Sequence, residues 1–224
     1  MKILVLGSTQ NLEEFKAKFS TTLNFRTETS YDFDPLDLAD TELVFDFFLE
    51  DFPSKIQIYG SYSQLTVFAS IPKTSLSRLI SNERNLSCTL IGFNGLPTMF
   101  NREYLEVSLL NQNNRGKLEK ICKAIDTEFL VVEDRVGMVT PRVLAMIINE
   151  AFYTVEEGTA TREDIDKGMK LGTNYPFGPF EWCGKIGIKN VYEILNALSN
   201  QAKDPVYDIC PLLEQEYLAG QPVG

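Results

Sequence analysis

The sequence predicts a shortened, Rossmann-like, mostly parallel α/β sheet domain over residues 1–136, followed by an all-helical domain over residues 137–224. Three observations carry this. Short apolar runs alternate with helix-patterned segments through the first part, the pattern of a parallel sheet with crossover helices. Beyond it only helical periodicity and turns occur. Between the two lies Val139–Gly158, one long helix with both ends marked. Pro141 stands at its first helical position, and the Thr140 hydroxyl can cap the first turn. Val143, Leu144, Ile147, Ile148, Ala151, Phe152 and Val155 form a wide apolar face. Gly158 supplies the left-handed stop. This helix is expected to be the hinge of the molecule.

The first domain opens with the buried strand Lys2–Leu6. Gly7-Ser-Thr-Gln-Asn-Leu12 then turns into a helix around Glu13–Phe19. This is the layout of the first strand, turn and helix of a Rossmann fold. A dinucleotide turn needs glycine at its first, third and sixth positions, for tightness, for backbone approach to the pyrophosphate and for helix–strand contact. Gly7 fills the first, but Thr9 and Leu12 fill the others, so the turn reads as a structural β–α connection. Strands are expected at Thr21–Arg26, Glu42–Glu50, Gln64–Ser70, Ser87–Phe93, Leu105–Asn111 (antiparallel or crossing) and Glu128–Val132. Ser75–Ser81 reads as one or two helical turns, and Arg115–Ile125 as an amphipathic helix. Glu28, about twenty residues after the turn, is where a ribose-binding acid would stand. It reads here as a loop glutamate.

In the second domain Thr161-Arg-Glu-Asp164 is a capping box with Asp in the reciprocal role. It opens a helix over Glu163–Leu171, closed by Gly172. Further helices are expected around Phe180–Cys183, over Asn190–Leu198, and around Leu212–Tyr217 with a stop at Gly220. Their apolar surface is large enough to pair with a second copy.

Composition removes whole classes of function. A net charge of −10 argues against nucleic acid and anionic membranes as partners. No apolar run reaches the ~18 residues of a membrane helix, and the amino-terminal apolar run is too short for a signal peptide, so a cytoplasmic protein is expected. Cys88, Cys122, Cys183 and Cys210 are far apart in sequence and read as reduced core thiols, with no metal knuckle or disulfide frame. The chain contains no histidine. That removes the usual neutral-pH base and the commonest metal ligand, and excludes Ser-His-Asp and Cys-His chemistry. No metal site is expected.

Residues 137–220 carry a resemblance. Gly137-Met-Val-Thr-Pro-Arg142, Asn149-Glu-Ala-Phe152, Glu157–Asp166, Met169-Lys-Leu-Gly172, Asn174-Tyr-Pro-Phe-Gly-Pro-Phe-Glu181, Ile186-Gly-Ile188 and Pro211-Leu-Leu213 resemble the carboxyl-terminal domain of 3-hydroxyacyl-CoA dehydrogenases, above all the 3-hydroxybutyryl-CoA type. The likeness extends more loosely upstream through Thr74-Ser-Leu76, Ile91–Pro97 and Tyr104–Val107. It implies an NAD-binding Rossmann domain, a helical dimerisation domain, and an acyl-CoA thioester bound between them. Hydride would move between nicotinamide and C3 of the acyl chain. A histidine would exchange the hydroxyl proton, held by a glutamate twelve positions on. In this chain Asn94 stands at the histidine position and Glu106 at the glutamate. The family's catalytic-region serine corresponds to Thr74 or Ser75. Two family asparagines correspond to Pro97 and Pro141. Gly7 and Ser8 fall on the cofactor turn, and Asp46 falls where a family glutamate lies near the nicotinamide. Lys73 and Arg142 are candidates to meet CoA phosphates, though each also reads as an ordinary surface charge.

Asn94 can donate and accept hydrogen bonds but cannot exchange a proton near neutral pH. Glu106 is then the remaining acid/base candidate, effective only if burial raises its pKa. The span between Gly7 and Glu42 is also shorter than the family's and lacks a strand and a helical excursion. The residues favour a family member whose NAD-dependent oxidoreductase activity is lost or weak and which can still bind acyl-CoA. Two alternatives remain open: an active dehydrogenase of fatty-acid metabolism using Glu106, and a structural homodimer or partner module built on the helical domain.

Overall fold

The computed structural model describes residues 1–19, 23–81 and 86–220, and the chain divides into a unit over Met1–Met138 and another over Val139–Gly224. The first unit is a seven-stranded sheet. Its strands are β1 (Ile3–Leu6), β2 (Phe25–Glu28), β3 (Leu43–Asp46), β4 (Thr66–Ser70), β5 (Thr89–Phe93), β6 (Tyr104–Leu109) and β7 (Glu128–Val132). They lie in the order β2-β1-β3-β4-β5-β6-β7. All pair in parallel except β5 with β6.

Both faces of the central strands are covered, which is why they read as continuous apolar runs instead of alternating ones. On one face Ile3, Val5, Leu43, Phe45, Phe68 and Ile91 pack under α1 (Thr9–Phe19) and α3 (Arg115–Ala124). A cluster of rings joins them, Phe45 stacking on Phe68 with centroids 4.7 Å apart. On the other face Leu4, Leu6, Val44, Val67 and Leu90 pack with Leu38, Ile56, Tyr59 and the four-residue helix α2 (Leu76–Leu79). Burial of this kind is the main favourable contribution to the sheet.

Several boundaries differ from expectation, each for a local reason. β2 lies at Phe25–Glu28 instead of Thr21–Arg26, and Thr21 and Thr22 fall outside the described residues. Glu28 is therefore the last residue of a strand, paired with Leu6, and not a loop glutamate. The run Glu42–Glu50 is a strand only as far as Asp46. There the carboxylate accepts from the Phe48 N–H at 2.9 Å and folds the chain into a turn.

The second unit consists, among the described residues, of α4 (Thr140–Glu156), α5 (Arg162–Thr173), α6 (Pro179–Ile186), α7 (Ile188–Ala202) and α8 (Pro211–Ala219). Leu144, Ile148 and Phe152 of α4, Phe180, Trp182, Cys183 and Ile186 of α6, Ile194, Leu195 and Leu198 of α7, and Leu213 of α8 are all buried. The N-cap of α4 falls on Val139, one residue earlier than expected. Thr140 is therefore already helical and Pro141 is the second helical residue. Gly172 does not close α5. The helix runs through it to Thr173, and Asn174 takes the left-handed cap with φ 58°. Gly158 and Gly220 do adopt positive φ at the ends of α4 and α8. No described helix is long and apolar enough to cross a membrane.

The quoted motifs of this unit are largely capping devices. Thr161 accepts from the Asp164 N–H at 3.2 Å and donates to its carboxylate at 2.7 Å. Asp166 reaches the first turn of α6, accepting from Phe180 at 2.8 Å and Glu181 at 3.1 Å. Glu181 reaches back to the Gly178 N–H at 2.9 Å. Gly178 is glycine because a Cβ there would stand 2.3 Å from the Asp166 carboxylate. Asn149, buried on α4, clamps the segment before α8. Its amide donates to Asp208 at 2.8 Å and accepts from Cys210 at 2.9 Å.

Candidate functional site

In a parallel sheet, the loops that follow the strands all emerge along one edge. Gly7 and Ser8 follow β1, Asp46 and Phe47 end β3, Thr74 and Ser75 follow β4, and Asn94 follows β5. Because β6 runs antiparallel to β5, Glu106 near its start comes to the same edge. β2 lies on one side of β1 and β3 on the other. The direction of winding thus reverses between β1 and β3, and the crevice of such a sheet opens at their carboxyl ends.

Asn94 and Glu106 are brought together. The Asn94 backbone N–H donates to the Glu106 carbonyl at 3.0 Å, and its side-chain amide points to the Glu106 carboxylate at 3.4 Å. The amide oxygen accepts from the Leu96 N–H at 3.3 Å, which fixes its orientation. Asn94 is 5% exposed, and Glu106 is half-buried. The pair keeps the spacing of a side chain oriented by a carboxylate, but the oriented group is a carboxamide.

Ser75 caps α2, accepting from the Arg78 N–H at 3.2 Å, with its hydroxyl 3.0 Å from that of Ser77. Asp134 also accepts from the Leu76 and Ser77 N–H groups at 2.7 and 2.9 Å. Thr74 is held in a turn, its N–H donating to Ile71 at 3.1 Å. Lys73 is paired with Asp51 at 3.0 Å. Arg142, in the helical unit, bonds the Tyr207 hydroxyl at 3.3 Å.

Asp46 is fully buried, and both of its oxygens are engaged. The hydroxyls of Tyr31 and Tyr59 each donate to one oxygen at 2.8 Å, and the Phe48 N–H donates to the other. Burial pushes this carboxyl up to about 6, against the lowering effect of those three donors. The same desolvation, with Asp46 alongside, raises both tyrosines.

At the turn after β1, the Ser8 hydroxyl accepts from the Asn11 N–H at 3.3 Å. The Asn11 side-chain oxygen accepts from the Ser8 N–H at 3.0 Å and from its hydroxyl at 2.6 Å. A Cβ on Gly7 would stand 2.7 Å from Asn11 Cβ and 3.3 Å from the Phe47 ring. One on Gly95 would stand 3.0 Å from the other side of the same ring. Phe47 is 6% exposed and makes edge contacts with Phe93 and Phe100, with centroids 5.0 and 5.1 Å away.

The family described as 3-hydroxyacyl-CoA dehydrogenase, C-terminal domain, matches residues 137–222. A 3-hydroxybutyryl-CoA dehydrogenase of Clostridioides difficile is 30% identical over 192 residues, which are 83% of this chain and 68% of that protein. The chain belongs to the 3-hydroxyacyl-CoA dehydrogenase family. A probable 3-hydroxybutyryl-CoA dehydrogenase of Bacillus subtilis is 28% identical, over 80% of this chain and 65% of its own length. This chain thus spans about two thirds of each of these relatives. The crystal structure of the (S)-3-hydroxybutyryl-CoA dehydrogenase PaaH1 of Ralstonia eutropha shares the fold with a TM-score of 0.72 and 22% identity, over 98% of this chain and 94% of that one. FadB2 of M. tuberculosis does so with a TM-score of 0.76 and 18% identity, over the same shares of the two chains.

Within this dehydrogenase scaffold, three residues matter at the sheet edge that sequence reasoning passed over. Phe47 read as one more apolar strand residue, and only the end of β3 at Asp46 turns it toward Gly7 and Gly95. Asn11 follows Ser8 by three positions, a spacing that signals a cap within a turn that also carries Gly7. Glu14 accepts from the Thr98 N–H at 2.6 Å and holds the loop after Asn94. Its carboxyl is raised by burial.

Proposed function

We propose that this chain is a 3-hydroxyacyl-CoA dehydrogenase-family protein whose NAD-dependent oxidoreductase chemistry is lost or weak, with acyl-CoA as the ligand class it retains. The observation that carries this reading is the carboxamide of Asn94 set 3.4 Å from Glu106. Moving hydride to or from a carbon that bears a hydroxyl also moves that hydroxyl's proton. A carboxamide hydrogen-bonds the oxygen but does not take the proton. The cofactor implied by the family is NAD, which would supply the hydride. Gly7, Ser8 and Glu28 stand at the carboxyl edge where it would lie, whereas Asp46 is buried with both oxygens engaged. The four free thiols, all buried, favour a reducing compartment such as the cytoplasm.

The test is turnover of acetoacetyl-CoA, read as loss of NADH absorbance. Turnover by the wild-type protein that vanishes in Glu106→Gln would overthrow the proposal in favour of Glu106 as the base. Acyl-CoA binding by calorimetry without turnover supports it. Asn94→His would place an imidazole on the Glu106 carboxylate. Where binding of both substrates is intact, it should raise turnover by about 10²-fold or more, the usual worth of a positioned proton-transfer group.

The helical unit is also proposed to self-associate. α5 buries none of its residues, and Val143, Leu171 and Leu218 are large apolar side chains 52, 78 and 74% exposed. Sedimentation equilibrium showing a monomer at micromolar concentration would refute this part.

A further inference from the structure

We infer that the dinucleotide crevice of the sheet unit is filled by the chain's own side chains, so that it holds no NAD pyrophosphate. The inference rests on the family reading of the site and concerns binding rather than chemistry.

A pyrophosphate at a sheet's switch point needs two things. The first helix must offer unpaired N–H groups at its N-terminus, and the backbone of the turn must be bare enough for phosphate oxygens to reach them. The turn obstructs both. Ser8 and Asn11 cap one another, so the Ser8 N–H and the Asn11 N–H already have oxygen acceptors from side chains within the turn. Thr9 puts a side chain at the position where a dinucleotide turn has glycine for the backbone to approach the pyrophosphate, and the tight turn at Gly7 is itself packed against Asn11 Cβ and the Phe47 ring. Leu12, at the third glycine position, is buried on the core face of α1, where a dinucleotide turn has glycine for close helix–strand contact.

Phe47 closes the crevice along the edge as well as at the turn. Its ring lies between Gly7 after β1 and Gly95 after β5, with β3 and β4 between those two strands. Phe93 and Phe100 pack edge-on against it. Moving the ring aside would expose an aromatic side chain and leave a void in a close-packed cluster, so it is not a flexible lid. Glu28 does stand at the end of β2, where a ribose acid belongs. It is paired with Arg26 at 3.5 Å, and a single carboxylate does not replace the phosphate cradle.

The experiment is direct titration of the wild-type protein with NADH, followed by nicotinamide fluorescence and by calorimetry. No saturation up to about millimolar ligand, a conventional weak-binding limit, is the expected result. The double variant Phe47→Ala/Asn11→Gly, checked for folding by circular dichroism, removes the ring and frees the Ser8 N–H. It should bind at least tenfold more tightly than wild type. Micromolar saturation of the wild-type protein overturns the inference. So does a folded double variant with no gain, since the obstruction would then lie elsewhere. The wild-type titration decides even where the variant fails to fold. Wild-type NADH binding without turnover would sink this inference alone and leave the proposed loss of proton transfer standing. Binding with turnover would sink both.

Discussion

Asp46 shows how far a single position departs from what the family resemblance implies for it. Its place at the end of β3 makes it a candidate to face a cofactor, yet its oxygens are spent on Tyr31, Tyr59 and the Phe48 N–H. Its carboxyl is raised from 3.8 to about 6 by burial. A raised acid binds its proton more tightly folded than unfolded. The stability it contributes is therefore complete below the unfolded value and lost as pH rises through about 6. From about pH 7 to about pH 5 the wild-type protein should gain about 1 kcal/mol relative to Asp46→Asn, read from urea unfolding at the two pH values. The raised carboxyl of Glu14 acts in the same direction, and the Asp46→Asn comparison cancels it. Tyr31→Phe removes a hydrogen bond to a charged acceptor. It should destabilise the sheet unit by about 1.5–3 kcal/mol near neutral pH, and a smaller loss at acidic pH would show that the carboxylate form is the partner.

At the scale of elements, the two glycines flanking the α5–α6 connection make opposite predictions. Gly172 lies inside α5, and a Cβ there meets nothing within 4 Å. Gly172→Ala should therefore stabilise the helical unit by about 0.5–1 kcal/mol, the helix-propensity difference. Gly178→Ala would drive a Cβ into Asp166 and loosen the cap of α6, costing about 1–3 kcal/mol. Thermal melts of the two variants should move in opposite directions. Most elements were legible because their signals are local: the apolar runs of β1, β4 and β5, the periodicity of α3 and α7, the Thr161 cap and the Gly158 and Gly220 stops. The misplacements at β2, at the end of β3 and at the end of α5 share a cause. Each was decided by a pairing partner, a side-chain bond or a backbone conformation that the local run of residues does not announce. Leu6 aligns with Glu28, Asp46 bonds Phe48, and Asn174 takes the left-handed conformation one residue beyond Thr173.

For the whole molecule, charge is the property most directly read from composition. A net charge of −10 on one chain repels itself in the compact state, and salt screens that repulsion. The melting temperature should therefore rise when ionic strength is raised from about 0.01 M to about 0.15 M, a range over which the screening length falls from about 30 Å to about 8 Å. A fall would mean that the surface pairs, such as Lys2 with Asp40 and Arg26 with Asp37, outweigh the net repulsion.

The α/β class followed by helices is carried by short-range pattern, the absence of any imidazole by composition, and the family and the pairing of Asn94 with Glu106 by the resemblance of residues 74–220 to it. The fate of the sheet edge is carried by none of these. Phe47 and Asn11 are unremarkable as letters, and Asp46 stands out only by its place in the family. Their effect comes from β3 lying beside β1, which sets an aromatic ring against the first turn and draws two tyrosines onto one carboxylate. Packing between segments distant in sequence decides whether a glycine leaves an open cradle or a filled one. That decision exists only once the chain has folded.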